Sequence, residues 1–392
     1  MKKNLSLLFV LSALTLVGCS NPSSPSSPEA GEVTVTDGLG NLITANPAEL
    51  QRIVCVGAGS LRLFSYVGDM NKLVGAEDVD RPEARAESTM PFQGVSRPYY
   101  DANTNRLSNL ATAGIGGPQH QAPELRKLID CEPDLIVSYY DNDANQAMAE
   151  ATGAKVFTVK YGPKTVFDPD MHTNVKNLAK LLGNEQKGID LVNYIEECKA
   201  EISAKTASVE STPKVYAAGI GNWGQTDYLN THSTYPMFQV AHIKNVLDDV
   251  TLAKQGQQAI NKETWETIAP NIDIMILDAA GISKTLQAYA DDSTIFDTVK
   301  AVNDGEVYLQ MPFNAYYTNM EIALMNAYFD AVSVYPACFT DFNLEAKYND
   351  ILSHFLNGAT YTYAQVQAMG SSFGGYQKIE NLKTWLDGKL SV

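Results

Sequence analysis

Positive charge is what this chain has least of. Lysine and arginine number 29 against 45 aspartates and glutamates, a formal net charge of −16 over 392 residues. A nucleic-acid partner needs a basic face to neutralise phosphates, so this balance excludes one. Cysteine is also scarce, at five. Cys55, Cys131, Cys198 and Cys338 are scattered without CxxC spacing, which leaves no zinc knuckle or disulfide framework to read. Cys55 and Cys131 lie in or beside apolar runs and are read as buried free thiols. Five histidines occur, and none of them stands at metal-ligand spacing from another. His232 and His242 lie near Asp227, while His120 and His172 are far off in sequence. There is no HExxH, no phosphate loop ending in Gly-Lys-Ser/Thr and no GxSxG elbow between a strand and a helix. Gly57-Ala58-Gly59 follows a strand-like run, but Arg62 stands where a dinucleotide fingerprint needs its third glycine. A tight turn into a helix is the simpler reading. These gaps leave a hydrolase without a recognisable nucleophile and base.

What is present begins at the N-terminus. Lys2 and Lys3 precede an apolar run from Leu5 to Val17, closed by Gly18 and Cys19. A positive start, a short apolar middle and small residues at the cut form a secretory signal. The run is shorter than the ~20 residues that a membrane-spanning helix needs. Leu16-Val17-Gly18-Cys19 resembles a bacterial lipobox, in which the thiol of Cys19 is lipidated and becomes the mature N-terminus. Residues 1–18 are therefore expected to be a signal peptide. Residues 19–31 then read as a tether, because SNPSSPSSPEAG has no apolar residue able to nucleate a core.

The body from 32 to 392 is too long for one ordinary core and fits two lobes. Val33–Thr36 and Asn41–Thr44 flank Asp37-Gly38, a hairpin signal. Ile53–Val56, Leu135–Ser138 and Val156–Val159 are short apolar runs separated by helical stretches, with Ser60 placed to cap a helix over 61–67. Buried strands of this kind predict a mostly parallel sheet. From 170 to about 209 the apolar spacing is helical, with Gly183-Asn184 as a break. Strand runs resume at 214–218, 272–277 and 306–309, and 320–358 reads as mainly helical. Glu124, Ile129 and Asp134 match Glu263, Ile268 and Asp273 at one fixed offset, each set reading as helix, turn and buried strand. The fold class is therefore α/β: two doubly wound lobes, 32–168 and 210–392, joined by a long rigid helical segment over 169–209, with the ligand cleft between them.

Ligands of such lobes bind at the carboxyl ends of the strands. Aromatic and polar residues gather at several of those ends. Tyr139, Tyr140, Tyr161, Trp223, Asn314 and Tyr316 follow strand runs directly, Tyr99 and Tyr100 lie in a preceding loop, and Arg62 starts a helix. These nine are the candidate ligand contacts. Aromatics with amides and a guanidinium suit a flat or chelated organic ligand better than a bare ion, and Arg62 is placed to pair two-pronged with a carboxylate or catecholate.

Three further strings accompany these: Arg52–Gly57 leading to Leu73-Val74-Gly75, Val302–Tyr308, and Asn319-Met320-Glu321 running on to Tyr335-Pro336. In this order, with the paired Glu124 unit and the lipobox, the chain resembles the substrate-binding lipoproteins of iron-siderophore, vitamin B12 and haem ABC importers, the helical-backbone class of periplasmic binding proteins. The resemblance implies a monomeric, non-enzymatic receptor outside the cytoplasm, held at the membrane by its lipid. It would capture an iron chelate and deliver it to an ABC permease and its ATPase. It also implies one exposed glutamate per lobe docking onto permease arginines, here Glu124 and Glu263. No cofactor and no resident metal are expected. Cobamide, haem, an oxyanion such as molybdate or a bare metal ion remain alternative cargoes on the same fold.

Overall fold

Two five-stranded sheets and a separate hairpin account for the strand runs. A computed structural model describes residues 31–82, 97–117, 122–221, 226–356, 360–369 and 375–391. The signal peptide, most of the tether, Cys19 and Trp223 lie outside these residues.

The chain opens with an antiparallel hairpin of β1 (Val33–Thr36) and β2 (Leu42–Ala45). Asp37 closes it by accepting hydrogen bonds from the Leu39 and Asn41 amides. The first sheet has β3 (Ile53–Val56) at its centre, flanked by β4 (Leu73–Ala76) and then β5 (Ala111–Thr112) on one side. On the other side lie β6 (Leu135–Ser138) and β7 (Lys155–Thr158), and every pairing is parallel. All four residues of β3 and of β6 are buried, as expected of strands covered on both faces.

Asp168 caps the helix Pro169–Leu181 by accepting from the amides of Asp170 and Met171. Gly183, at a φ of 75°, turns the chain into a second helix, Glu185–Thr206. The two pack against each other and lead to the second sheet. That sheet begins with β8 (Lys214–Ala218), which lies beside the central strand, β12 (Ile274–Asp278). A small antiparallel pair, β9 (Asn230–His232) and β11 (Gln257–Ala259), stands apart from it. The edge strand β10 (Lys244–Asn245) pairs with β8, and β13 (Val307–Gln310) with β12. The last strand, β14 (Gln377–Ile379), joins antiparallel to β13; nothing in the sequence analysis anticipated it.

The internal similarity is a structural one. Leu135 pairs with Ile53 in the first sheet, and Ile274 pairs with Val215 in the second, so β6 and β12 occupy equivalent places. Asp134 accepts the Gln51 and Arg52 amides at 2.9 and 2.8 Å, and Asp273 accepts the Lys214 amide at 2.8 Å. Each aspartate thus caps the start of the neighbouring strand. The expected helical run over 320–358 is two helices, Met320–Val334 and Leu344–Phe355. One continuous apolar core runs from Ile53 and Leu135 through the linking helices and Met320–Val334 to Val215 and Ile276. Cys55, Cys131 and Cys198 are buried free thiols, and Cys338 is half-buried and also free.

Candidate ligand-binding site

The carboxyl ends of β3, β4, β6 and β7 face the loop that follows β13, and the candidate site lies at that junction. It starts with the turn after β3. Gly57 and Gly59 both take left-handed backbone angles, φ of 80° and 86°, which glycine adopts without strain. A side chain at Gly57 would meet Tyr139 at 2.9 Å, and one at Gly59 would meet Tyr161 Oη and the Tyr316 carbonyl at 3.0 Å. The turn starts the helix Ser60–Val67 with Gly59 as its cap. Ser60 is therefore already inside the helix, and its hydroxyl donates to the Gly57 carbonyl instead of capping. That corrects the expected capping role.

Arg62 lies in the first turn of this helix and is fully buried. Its Nη2 donates to the Ala315 carbonyl at 2.6 Å. Its Nη1 donates to the Tyr316 carbonyl at 2.7 Å and, more weakly, to the Thr318 carbonyl and Tyr161 Oη, both at 3.3 Å. The guanidinium was expected to face a ligand carboxylate. It instead clamps the loop of the second lobe, because that loop presents three carbonyl oxygens to it. Tyr66, one turn on, donates to Glu321 at the start of the Met320–Val334 helix. The two lobes are thereby fastened at the foot of the site.

Tyr99 and Tyr100 are buried as well. Tyr99 Oη donates to Asp80 at 2.7 Å and accepts from Arg97 Nη2 at 2.9 Å. Arg97 also pairs with Asp80, donates to the Val79 carbonyl at 2.9 Å and lies over the rings of Tyr100 and Tyr316. Tyr140 donates its hydroxyl to Glu77 at 2.6 Å, and Glu77 also accepts the Gly57 amide at 3.0 Å. Burial pushes the Glu77 carboxyl up to about 7. Burial likewise raises the Tyr161 phenol, to about 12, against the opposing pull of Arg62. Tyr99, Tyr100 and Tyr140 thus build the wall behind the site. Sequence reasoning missed Glu77, whose partners Gly57 and Tyr140 come from the ends of two other strands, and Asp80 and Arg97, whose pairing brings Arg97 back onto the end of β4.

The face in front is aromatic. Tyr139 and Tyr161 are half-buried, and Tyr317 of the second lobe is set between them. Its ring centroid is 4.2 Å from that of Tyr139 and stacks 5.1 Å from that of Tyr161. Tyr317 is 40% exposed, the open member of the cluster. Tyr316 and Tyr317 both hold left-handed angles, φ of 52° and 68°, which cost a side-chain-bearing residue about 1–3 kcal/mol each. The Arg62 clamp on the Ala315 and Tyr316 carbonyls holds this strained pair in place. Asn314, half-buried, bridges to Thr318 across the same loop. The structure therefore brings Arg62, Tyr99, Tyr100, Tyr139, Tyr140, Tyr161, Asn314 and Tyr316 to one junction and adds Tyr317, the sequence neighbour of Tyr316.

Glu124 and Glu263 stand at the starts of equivalent helices, Leu125–Cys131 and Lys262–Ile268, and the charge of Glu124 reaches Glu77 and Tyr140 in the wall of the site. Glu263 is exposed. Glu124 is half-buried: its Oε1 accepts the Ile115 amide at 2.8 Å, and Oε2 lies 3.4 Å from Lys127.

Residues 53–312 match the periplasmic binding protein family. This chain belongs to that family. The match spans well over half of the sequence, includes the first sheet and all of the second but β14, and reaches the start of the Tyr316 loop. Among solved structures, the chain is similar to a periplasmic solute-binding protein of Veillonella parvula, with 18% identity and a TM-score of 0.64 over 86% of this chain and 96% of that one. The molybdate-bound MolA of Haemophilus influenzae shares 16% identity and a TM-score of 0.60, over 84% and 99% of the two chains. CeuE of Helicobacter pylori, in a nickel–histidine complex, shares 17% identity and a TM-score of 0.55, over 86% and 98%. At these identities the likeness is one of fold. No curated protein sequence gave a significant match.

Family membership makes the chain an extracytoplasmic solute receptor of an ABC importer, without enzymatic activity. It serves a small-molecule ligand and a permease with its ATPase. One string, Gly370-Ser371-Ser372-Phe373-Gly374, does have G-x-S-x-G spacing. It lies outside the described residues and, in sequence, between the helix Tyr363–Met369 and β14, the reverse of the strand-to-helix order a nucleophile elbow requires. Among the described residues, no helix is long and apolar enough to cross a membrane.

Proposed function

We propose that this periplasmic binding protein captures an iron complex of the siderophore type and is tethered to the membrane through lipidated Cys19. The observation that supports the ligand reading is the cluster of Tyr139, Tyr161 and Tyr317, backed by the guanidiniums of Arg62 and Arg97. Phenol rings offer flat apolar faces to the organic shell of a chelate. Arg97 is paired with Asp80 and Arg62 has Glu321 beside it, so the reading rests on the aromatic faces, with the two guanidiniums holding them in place.

The test is a titration of the purified protein with a ferric catecholate, haem, a cobamide and molybdate, read by intrinsic fluorescence quenching. The ferric catecholate is expected to quench saturably. Tyr317→Ala should weaken its binding about tenfold or more, the usual effect of removing one aromatic anchor. Binding of molybdate or a simple divalent cation alone would replace the chelate by that cargo.

The anchor has its own check. Cys19→Ala should leave the protein in the soluble fraction after cell breakage. Sedimentation with membranes that survives a high-salt wash would remove lipidation from the reading.

A further inference from the structure

A second set of polar side chains is buried in the second lobe, away from the tyrosine cluster. Asp278 and Gln310 are the last residues of β12 and β13 and pair directly in register. Side chains alternate along a strand. Ile274 and Ile276 belong to the central core, whereas Met275 and Leu277 belong to the core on the other side of the sheet. Asp278 therefore faces the central core. By the same alternation Gln310 shares its face with Tyr308, whose ring meets Phe329 of the Met320–Val334 helix at 6.3 Å. Asp330 comes from that helix, one turn beyond Asn326, which donates to the Met311 carbonyl at 2.8 Å. Tyr376 packs on Phe329 with ring centroids 4.8 Å apart, and Tyr348 stacks on Tyr376 at 5.2 Å. Asp278, Gln310, Asp330 and Tyr348, each no more than 1% exposed, gather where the ends of β12 and β13 meet this helix: the charge of Asp278 acts on Asp330, that of Asp330 acts on Tyr348, and both act on Tyr235, the partner of Gln310.

The hydrogen bonding of this set is incomplete in one consistent way. Gln310 Nε2 donates to Asp278 Oδ2 at 2.8 Å and to Tyr235 Oη at 3.1 Å. The carboxylate fixes which end of the amide is nitrogen. Gln310 Oε1, both oxygens of Asp330 and the Tyr348 hydroxyl have no partner. Burial, and then the charge of Asp278, hold the Asp330 carboxyl well above the ordinary carboxylate range. No lysine or arginine is among the groups acting on either aspartate. Two buried carboxyls without a cationic side chain must be neutralised, since each uncompensated ion costs several kcal/mol. Every orphaned atom here is an oxygen, and the set carries two formal charges. Hard divalent cations take oxygen ligands of this kind, and calcium accepts them in flexible geometry.

We propose that Asp278, Gln310 Oε1, Asp330 and the Tyr348 hydroxyl hold one calcium-class divalent cation inside the second lobe. It pins the Met320–Val334 helix to the ends of β12 and β13. The same helix begins at Asn319, whose amide and side chain both donate to the Phe313 carbonyl. The cation thus stiffens the base of the loop that carries Tyr316 and Tyr317.

The experiment uses the purified mature chain, stripped with EDTA and then given calcium chloride. At saturating calcium the melting temperature should rise by roughly 3 °C, from mass action on a single folded-state site. Calorimetry should count one calcium per chain. Asp330→Asn removes a charge and keeps the shape. It should melt in EDTA no lower than the wild type and show no response to calcium. Gln310→Leu should weaken calcium binding at least tenfold while remaining folded. Absence of any calcium effect on the wild type overturns the proposal, as does an equal rise in Asp330→Asn, which would place the ion on the acidic surface. A wild type that is insensitive to calcium but stabilised by mild acid would assign the space to a proton on Asp330 instead.

Discussion

Arg62→Met is expected to lower the unfolding free energy by about 3 kcal/mol, measured by urea titration, and to weaken ligand binding at the same time. The methionine fills much of the volume but donates nothing. The carbonyls of Ala315, Tyr316 and Thr318 lose a buried donor, and Glu321 loses the cation beside it. Orphaning buried partners costs about 1–3 kcal/mol, and more when a charge is left behind. The second effect follows from the backbone of the loop. Tyr316 and Tyr317 are held in left-handed conformations that the clamp stabilises, and once released the loop relaxes and carries Tyr317 away from Tyr139 and Tyr161. Tyr317→Ala should separate the two effects, because it removes the exposed ring and leaves the clamp. It should change stability by less than about 1 kcal/mol and still lose affinity. Arg62→Lys keeps a point charge but not the planar fork that reaches several carbonyls, and it should recover only part of the stability. If Arg62→Met binds ligand as tightly as the wild type, the arginine holds the lobes without positioning the site.

The clamp also shows where the sequence stops being readable. Ile53–Val56 and Leu135–Ser138 were visible because a strand buried on both faces must be an unbroken apolar run. The repeat was visible because helix, turn and strand follow one another within a dozen residues in each copy, although the strand starts that Asp134 and Asp273 cap lie 83 and 59 residues away. Arg62 was noticed for its place at a helix start, but its partners are main-chain carbonyls some 250 residues away, and a carbonyl has no sequence signature. Asp80, Arg97 and Tyr99 form a triad only after the chain folds back onto β4. β14 escaped because Gln377–Ile379 is three residues long and owes its place to the free edge of β13. The calcium-class site has no ligand spacing for a related reason: its carboxyls come from a strand end and a helix some fifty residues apart. One local sign was available. In Met320–Val334, Glu321, Asn326 and Asp330 interrupt a helix that is otherwise almost wholly apolar and buried on all sides, and polar groups in such a helix require partners.

Under the proposed docking role, Glu124→Gln combined with Glu263→Gln should cut uptake of the ligand about tenfold or more while leaving its affinity for the isolated receptor unchanged. A close interfacial charge pair is commonly worth at least the ~1.4 kcal/mol of a tenfold change, and two are removed. The choice of glutamine follows from the unequal surroundings of the two carboxylates. Glu263 is exposed in the first turn of its helix, so in that role a permease arginine would displace only water from it. Glu124 already accepts the Ile115 amide and neighbours Lys127. The Gly114 and Ile115 carbonyls in turn accept the amides of Asp78 and Val79, and the Val79 carbonyl accepts from Arg97 behind Tyr316. Charge reversal at Glu124 would release the Ile115 amide and disturb that line of contacts, so lost transport could then arise inside the site. Glutamine keeps an acceptor for Ile115 and removes only the charge. Lysine at Glu263 has no such secondary route, and Glu263→Lys alone should reduce uptake with affinity intact. Uptake at the wild-type level in the double glutamine variant would mean that these two carboxylates serve their helix starts and that the permease grips the receptor elsewhere.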